Sequence, residues 1–290
     1  MPSPTDFNLS PYYDDFAESK KFHRILFRPA FAVQARELTQ LQSIQQNQIE
    51  RLSDHLFEQG AMVIPGEIGY DTNYFAVKLS SFSGTLANYV GSVFTGGSSG
   101  VQAIVVNTVA TDGTDPNTLF VKYIKTGSNN TAVTFTDSET ITGVDSSSTS
   151  VSATVSTTAT GSAAEIQAGT YYINGFHVIV TNQTLILDKY TNTPSYRVGL
   201  TISESYVTPS DDSTLNDNAT GSSNVNAPGG HRFKIELTLA KKSLTATDDS
   251  TFIELLRLND GKMQNKLKLI NKLNLTHCLN SMNVEYKLVY

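Results

Sequence analysis

Between positions 31 and 60 apolar residues recur at helical spacing. From position 70 they fall into short β-branched and aromatic runs separated by turn clusters. The first segment has no Pro and no internal Gly and is rich in Gln, Leu, Glu and Arg, which favour helix. Pro29 stands just before it, and Gly60 is placed to supply a left-handed cap. At roughly 100° per residue, Leu38, Leu41, Gln45, Ile49, Leu52 and Leu56 share a narrow stripe, coiled-coil-like in width, on a helix on the order of 40 Å long. Read as heptads, Leu38, Gln45 and Leu52 occupy one core position and Leu41, Gln48 and His55 the other. A glutamine in a seam costs stability unless its amide finds a partner, and symmetry copies of the same residue can satisfy one another. The stripe therefore reads as an oligomerisation surface. The alternative is an amphipathic helix lying on its own β-domain.

After Gly60, Met62-Val-Ile-Pro-Gly predicts a short strand and turn, and further strands are expected at 74–79, 89–94, 102–109, 118–124, 132–135 and 139–141. Gly96-Gly-Ser-Ser-Gly, residues 112–117 and residues 127–130 supply the turns between them. Residues 146–161 are nearly all Ser, Thr, Ala and Val, which reads as a solvated linker or an edge hairpin. A second β-block opens with a hairpin turned at Asn174-Gly175 and continues through strands at 183–187, 196–204 and 231–239. A long polar loop spans 208–230, and the pattern beyond Phe252 reads as helical. The layout is then an extended arm (1–30), an oligomerisation helix (31–60), a first β-domain (61–145), a linker or edge hairpin (146–165), a second β-domain (166–250) and a C-terminal helical segment (251–290). The fold class is mainly β, with a long N-terminal helix, two small sandwich or barrel domains and a short C-terminal helix.

Composition narrows the chemistry. The chain has 290 residues, a 17% charged fraction, a net charge of −6 and no Trp, so no basic surface is on offer for a nucleic acid. One cysteine, Cys278, excludes a disulfide framework, and no stretch is long and apolar enough to span a bilayer. The N-terminus has neither the basic nor the apolar region of a signal peptide, which predicts a soluble, non-secretory product with no membrane insertion. Gly96-Gly-Ser-Ser-Gly matches G-x-S-x-G, but a strand follows it where a nucleophile elbow needs a helix, so a hairpin turn is expected. The histidines His23, His55, His177, His231 and His277 are scattered without ligand spacing. Asp211, Asp212 and Asp217 could crowd around a hard cation but lack the EF-hand order, and a solvated loop is the better reading. No cofactor, metal or catalytic residue is expected. The arm carries Phe7, Tyr12, Tyr13, Phe16, Phe22 and Phe27, more aromatics than a solvated tail holds, and these are candidate docking residues for a neighbouring protein.

Several segments go beyond composition. Phe7-Asn-Leu-Ser-Pro-Tyr-Tyr-Asp-Asp-Phe, Lys21-Phe-His-Arg-Ile-Leu-Phe-Arg-Pro and Ala32-Val-Gln-Ala-Arg-Glu-Leu-Thr-Gln-Leu-Gln closely resemble the opening of a family of tailed-bacteriophage virion proteins frequent in contractile-tailed cyanophages. Further likeness lies in Leu185-Ile-Leu-Asp-Lys-Tyr-Thr-Asn-Thr-Pro-Ser-Tyr-Arg-Val-Gly-Leu, the Asp211-Asp212 loop through Asn226-Ala-Pro-Gly, and Arg232-Phe-Lys-Ile-Glu-Leu-Thr-Leu. It covers about residues 7–260. From Gln264 the chain departs from these relatives, reading Lys266-Leu-Lys-Leu-Ile-Asn. The resemblance implies a non-enzymatic virion component of the baseplate or of the baseplate-to-tail-fibre attachment, assembled in the host cytoplasm alongside other baseplate or tail-fibre proteins. With the seam it implies a homo-oligomer, with a trimer favoured; a receptor- or glycan-binding module at a fibre base is the alternative.

Overall fold

In a computed structural model, which describes residues 5–128, 130–219 and 221–266, the chain is mainly β with several sheets and, among the described residues, one α-helix. α1 (Ala35–Leu56) precedes β1 (Met62–Ile64), β2 (Ile68–Phe82), β3 (Val93–Gly96), β4 (Gln102–Val109), β5 (Thr118–Lys125), β6 (Thr140–Val144) and β7 (Ser150–Ile166). The chain continues through β8 (Gly169–Ile173), β9 (Phe176–Val180), β10 (Gln183–Asp188), β11 (Tyr196–Val207), β12 (Asn216–Asp217), β13 (Asn224–Pro228), β14 (Arg232–Ser243), β15 (Phe252–Asn259) and β16 (Lys262–Lys266).

Residues 146–165, expected as a linker or edge hairpin, instead lie mostly in β7, a strand of 17 residues. The low-complexity composition conceals a period of two. Val151, Ala153 and Val155 point into a core, while Ser150, Ser152 and Thr154 alternate with them toward solvent. β7 pairs antiparallel with β2 from Ile68↔Ile166 to Phe82↔Ala153. β2, β5, β4, β3, β6 and β7 are hydrogen-bonded in that order, and β6 pairs back onto β7, so the sheet closes on itself and leaves no edge there. Val77, Tyr89, Phe94, Leu119, Phe135 and Ile141 fill the interior. Residues 132–135, expected as a strand, form a loop that plugs this core with Phe135, whose N–H donates to the Tyr123 hydroxyl at 3.3 Å.

The opposite ends of β2 and β7 contribute Ile68 and Ile166 to a second core with Tyr171, Ile173, Leu187, Leu200, Leu239 and Leu256. A three-stranded sheet β1-β8-β9 and a four-stranded sheet β14-β11-β15-β16 enclose it. The Gln183 side chain bridges β10 to β14: its amide donates to Leu237 O at 2.9 Å and accepts from the Leu239 N–H at 2.7 Å. At the junction of the two cores Tyr74 stacks on Phe120 at 4.8 Å beside Ala76 and Ala163. Gly161 is required here, because a Cβ would lie 2.5 Å from the Lys189 carbonyl oxygen.

The C-terminal segment is corrected as far as it is described. Residues 252–266 form β15 and β16, with β15 paired along β11 from Arg197↔Arg257 to Thr201↔Phe252. Asp260 (φ 51°) and Gly261 (φ 70°) turn the hairpin between them, an Asp-Gly turn signal that outranks the apparent helical spacing. The rest of the expected helix, with Lys268, Lys272, Cys278 and Lys287, lies outside the described residues.

Two buried charged groups hold loops to this framework. Arg197 on β11 is 5% exposed; it donates to Asp249 Oδ2 at 2.5 Å and Ala246 O at 2.6 Å, and its Nε reaches Glu254. Glu254 also accepts from Arg257 at 2.7 and 2.9 Å, and Arg257, against the cost of burial and with help from Arg197, holds its carboxyl below the usual range. Just before β6, buried Glu139 reaches over the β3–β4 turn and accepts the N–H groups of Ser98 (3.2 Å), Ser99 (3.0 Å) and Thr136 (2.7 Å), and the hydroxyls of Ser98 (3.0 Å) and Ser99 (2.9 Å). Burial pushes this carboxyl up, but the hydrogen bonds outweigh it and hold it below the ordinary glutamate range.

Arg197→Ala strands partly buried carboxylates and is expected to lower the unfolding free energy by about 3 kcal/mol, measured by urea denaturation. Glu139→Gln is expected to cost about 1–3 kcal/mol at pH 7. Because the folded carboxyl titrates below the unfolded one, its contribution is complete above about pH 5 and disappears as pH falls through the folded value. The gap between wild type and Glu139→Gln should therefore narrow in urea titrations repeated at successive steps below about pH 5.

Candidate functional site

α1 meets its own β-framework with polar residues. Gln46 donates to Gly175 O at 2.8 Å, and the Tyr172 hydroxyl donates to Asp54 Oδ1 at 2.7 Å. The side chain of Glu50 lies across the β8–β9 turn, 3.0 Å from where a Cβ on Gly175 would sit, and Ser53 is buried. That turn is the expected Asn-Gly hairpin: Asn174 and Gly175 have φ of 48° and 88°, the left-handed pair that a two-residue hairpin needs. Burial first, then the neighbouring Asp54, raises the Glu50 carboxyl above its ordinary range. The helix starts with the Gln34 N–H on the Glu37 carboxylate at 2.9 Å and ends at Leu56. Gly60 does not cap it. Phe57 leaves the helix to sit against the rings of Tyr172 and His177, each 6.0 Å away, and the Gly60 N–H pairs with Tyr172 O at 2.8 Å.

The arm occupies a neighbouring flank. Phe7 packs edge-on to Phe233 (5.0 Å) and Tyr206 (6.2 Å), and Tyr12 lies against Tyr206 (5.1 Å) with its hydroxyl 2.8 Å from His231 Nδ1. Asp15 pairs with Arg36 at 3.2 Å and with Gln40, Asp14 accepts from Ser43, and Glu18 pairs with Arg51. Of the proposed docking set, Phe7, Tyr12 and Phe16 are thus half-buried against their own chain, whereas Tyr13, Phe22 and Phe27 are exposed.

With polar residues inward and the arm on the side of buried Ile44, the apolar stripe is turned away from the rest of the chain. Leu38 (53%), Ile49 (49%) and Leu52 (62%) are exposed, as are Gln45 and Gln48 between them; Leu41 and Leu56 are half-buried at the margins. Seven residues named from the sequence therefore share one side of α1, with five open to solvent. Sequence reasoning missed Leu26, Phe31 and Val33, which are also exposed. Their signal was the apolar run at 22–33, interrupted by His23, Arg24, Arg28 and Pro29 and so without a helix or strand period.

Elsewhere the polar groups are occupied locally. Gly96-Gly-Ser-Ser-Gly is the β3–β4 turn, with both serine hydroxyls on Glu139. Asp211 and Asp212 do not converge on a cation position: Asp211 accepts from Thr208 (3.0 and 2.7 Å) and Asp212 from Thr214 (2.9 and 2.7 Å), each closing its own turn. Among the described residues no group of three or more His, Cys, Asp or Glu is placed to hold a metal, and no helix is long and apolar enough to cross a membrane. A cleft of about 100 Å³ between arm and helix, lined by Phe16, Phe22, Ile25 and Ile44 among others, is well below the roughly 300 Å³ at which small-molecule sites begin.

No curated protein and no solved structure matches the chain. A protein-family model does, over residues 10–117 and again over 101–287. These matches overlap and take in most of the sequence, so the chain belongs to the family described as a domain of unknown function, DUF4815.

Proposed function

We propose that the protein is a non-enzymatic building block of a bacteriophage tail, at the baseplate or its attachment to the tail fibres, and that it works by symmetric self-assembly through α1. The carrying observation is the inverted seat of the helix: polar Gln46, Glu50, Ser53 and Asp54 face the chain's own β-framework while Leu38, Ile49 and Leu52 face solvent. An amphipathic helix serving only its own domain would be turned the other way. The resemblance of residues 7–260 to cyanophage virion proteins supports the location in the virion.

A coiled-coil seam of three copies, with the β-domains outside, uses this orientation directly. Gln45 and Gln48 lie along the exposed stripe, where copies around a three-fold axis satisfy one another's amides and set the register. Closed point-group symmetry is also what a tail component built from identical chains requires. The hydrogen bond from Gln46 to Gly175 O ties the helix to the Asn174-Gly175 turn, the contact through which the β-domains of such a trimer would project from its axis.

The expected mass in solution is three times the 31.5 kDa of one chain. Substituting both Leu38 and Leu52 with Asp would bury charge in the seam and is expected to reduce the mass to a single chain by light scattering, with the circular dichroism spectrum unchanged. A wild-type protein that remains a single chain at high concentration would refute the assembly.

A further inference from the structure

Residues 21–34 join the arm to α1 without helix or strand. Phe22, Leu26, Phe27, Phe31 and Val33 in this strap are 48–77% exposed. The arm leads into the strap beside the helix, where Asp15 pairs with Arg36 at 3.2 Å and Glu18 with Arg51, and the strap ends at the helix N-terminus. Phe22 and Ile25 line the cleft beside Ile44, so the strap runs along the flank of α1 that borders Leu41 and Gln48. Its apolar side chains therefore lie on the flank beside the helix stripe, with the Arg28 guanidinium 4.2 Å over the Phe31 ring among them. Exposed apolar surface of this extent marks a contact with another molecule.

The areas indicate which molecule. Taking about 200 Å² for a large apolar side chain, Leu38, Ile49 and Leu52 together expose about 300 Å² and the five strap residues about 600 Å². A stable specific interface buries roughly 800 Å² on each partner. The stripe alone falls short, and stripe and strap together reach it. We infer that the strap is the second half of the self-association surface and packs over the helix stripe of the next copy of this chain. This inference rests on the helix-mediated assembly proposed above. A strap bound to a different protein would leave the helices joined by too little area to persist.

The strap residues are exposed in the single chain, so Leu26→Ser, Phe27→Ser and Phe31→Ser combined remove the contact with little effect on the protomer. Light scattering across a concentration series should show association weakened at least 100-fold, while circular dichroism of the diluted protein matches wild type. As a second measurement on the otherwise unaltered chain, a photo-crosslinking residue at Phe27 is introduced into both isotopically light and heavy protein, and the two are mixed before assembly. Mixed-isotope crosslinks from position 27 to the peptide holding residues 38–52 are expected. Strap variants that assemble as tightly as wild type, or crosslinks only within one chain, overturn the inference. If that occurs while Leu38→Asp with Leu52→Asp still dissociates the protein, the strap contact alone is lost. If wild type is itself a single chain, the helix assembly fails as well.

Discussion

The antiparallel pairing of β2 with β7 is the constraint on which the architecture depends. Each strand is long enough to serve two cores, with Val77 and Val155 in the closed barrel and Ile68 and Ile166 between the sheets beyond it. A register slip of one residue would reverse every side chain on the ribbon and expose both cores at once. The bulges at Asp71/Tyr74 and Lys78/Leu79, with Gly161 beneath Lys189, let the ribbon bend as it passes from one core to the other without losing the inward alternation. The two β units are therefore joined by shared strands, with no tether between them.

The helix is subordinate to this framework and carries what the framework lacks. Its contacts with the β8–β9 turn and with Asp14, Asp15 and Glu18 are hydrogen bonds and ion pairs, which give direction and modest net stability. Hydrophobic burial, the larger driving force, is left unspent on the outer stripe and strap. A protomer built in this way is folded by its β-sheets and leaves apolar surface of α1 and the strap outside its own cores. The proposed assembly uses that division of labour.

Much of this was legible in the sequence, and the errors have physical causes. The helix, its apolar stripe, β4, β5 and the Asn174-Gly175 hairpin follow from periodicity and turn chemistry, whereas a helical period carries no sign of whether the stripe faces in or out. β7 was hidden because its inward residues are small; Ala and Val alternating with Ser and Thr resemble a linker until their partner strands are known. β15 was mistaken for helix because a bulge between Val198 and Gly199 shifts its pairing register, although Asp260-Gly261 signalled a hairpin. Phe7 and Tyr12 looked free for docking because the aromatic partners Tyr206 and Phe233 are about 200 positions away, beyond any local pattern. Ile44 shows the converse: its apolar character was visible, but only the folded-back arm explains why it is buried off the stripe.

The continuous ribbon also has a mechanical consequence. The helix rests at the β8–β9 turn, and β2 and β7 both run on from that end into the closed barrel, so tension between the two is carried by two continuous strand backbones side by side. A flexible tether would stretch first under such a load, and this ribbon holds none between its cores.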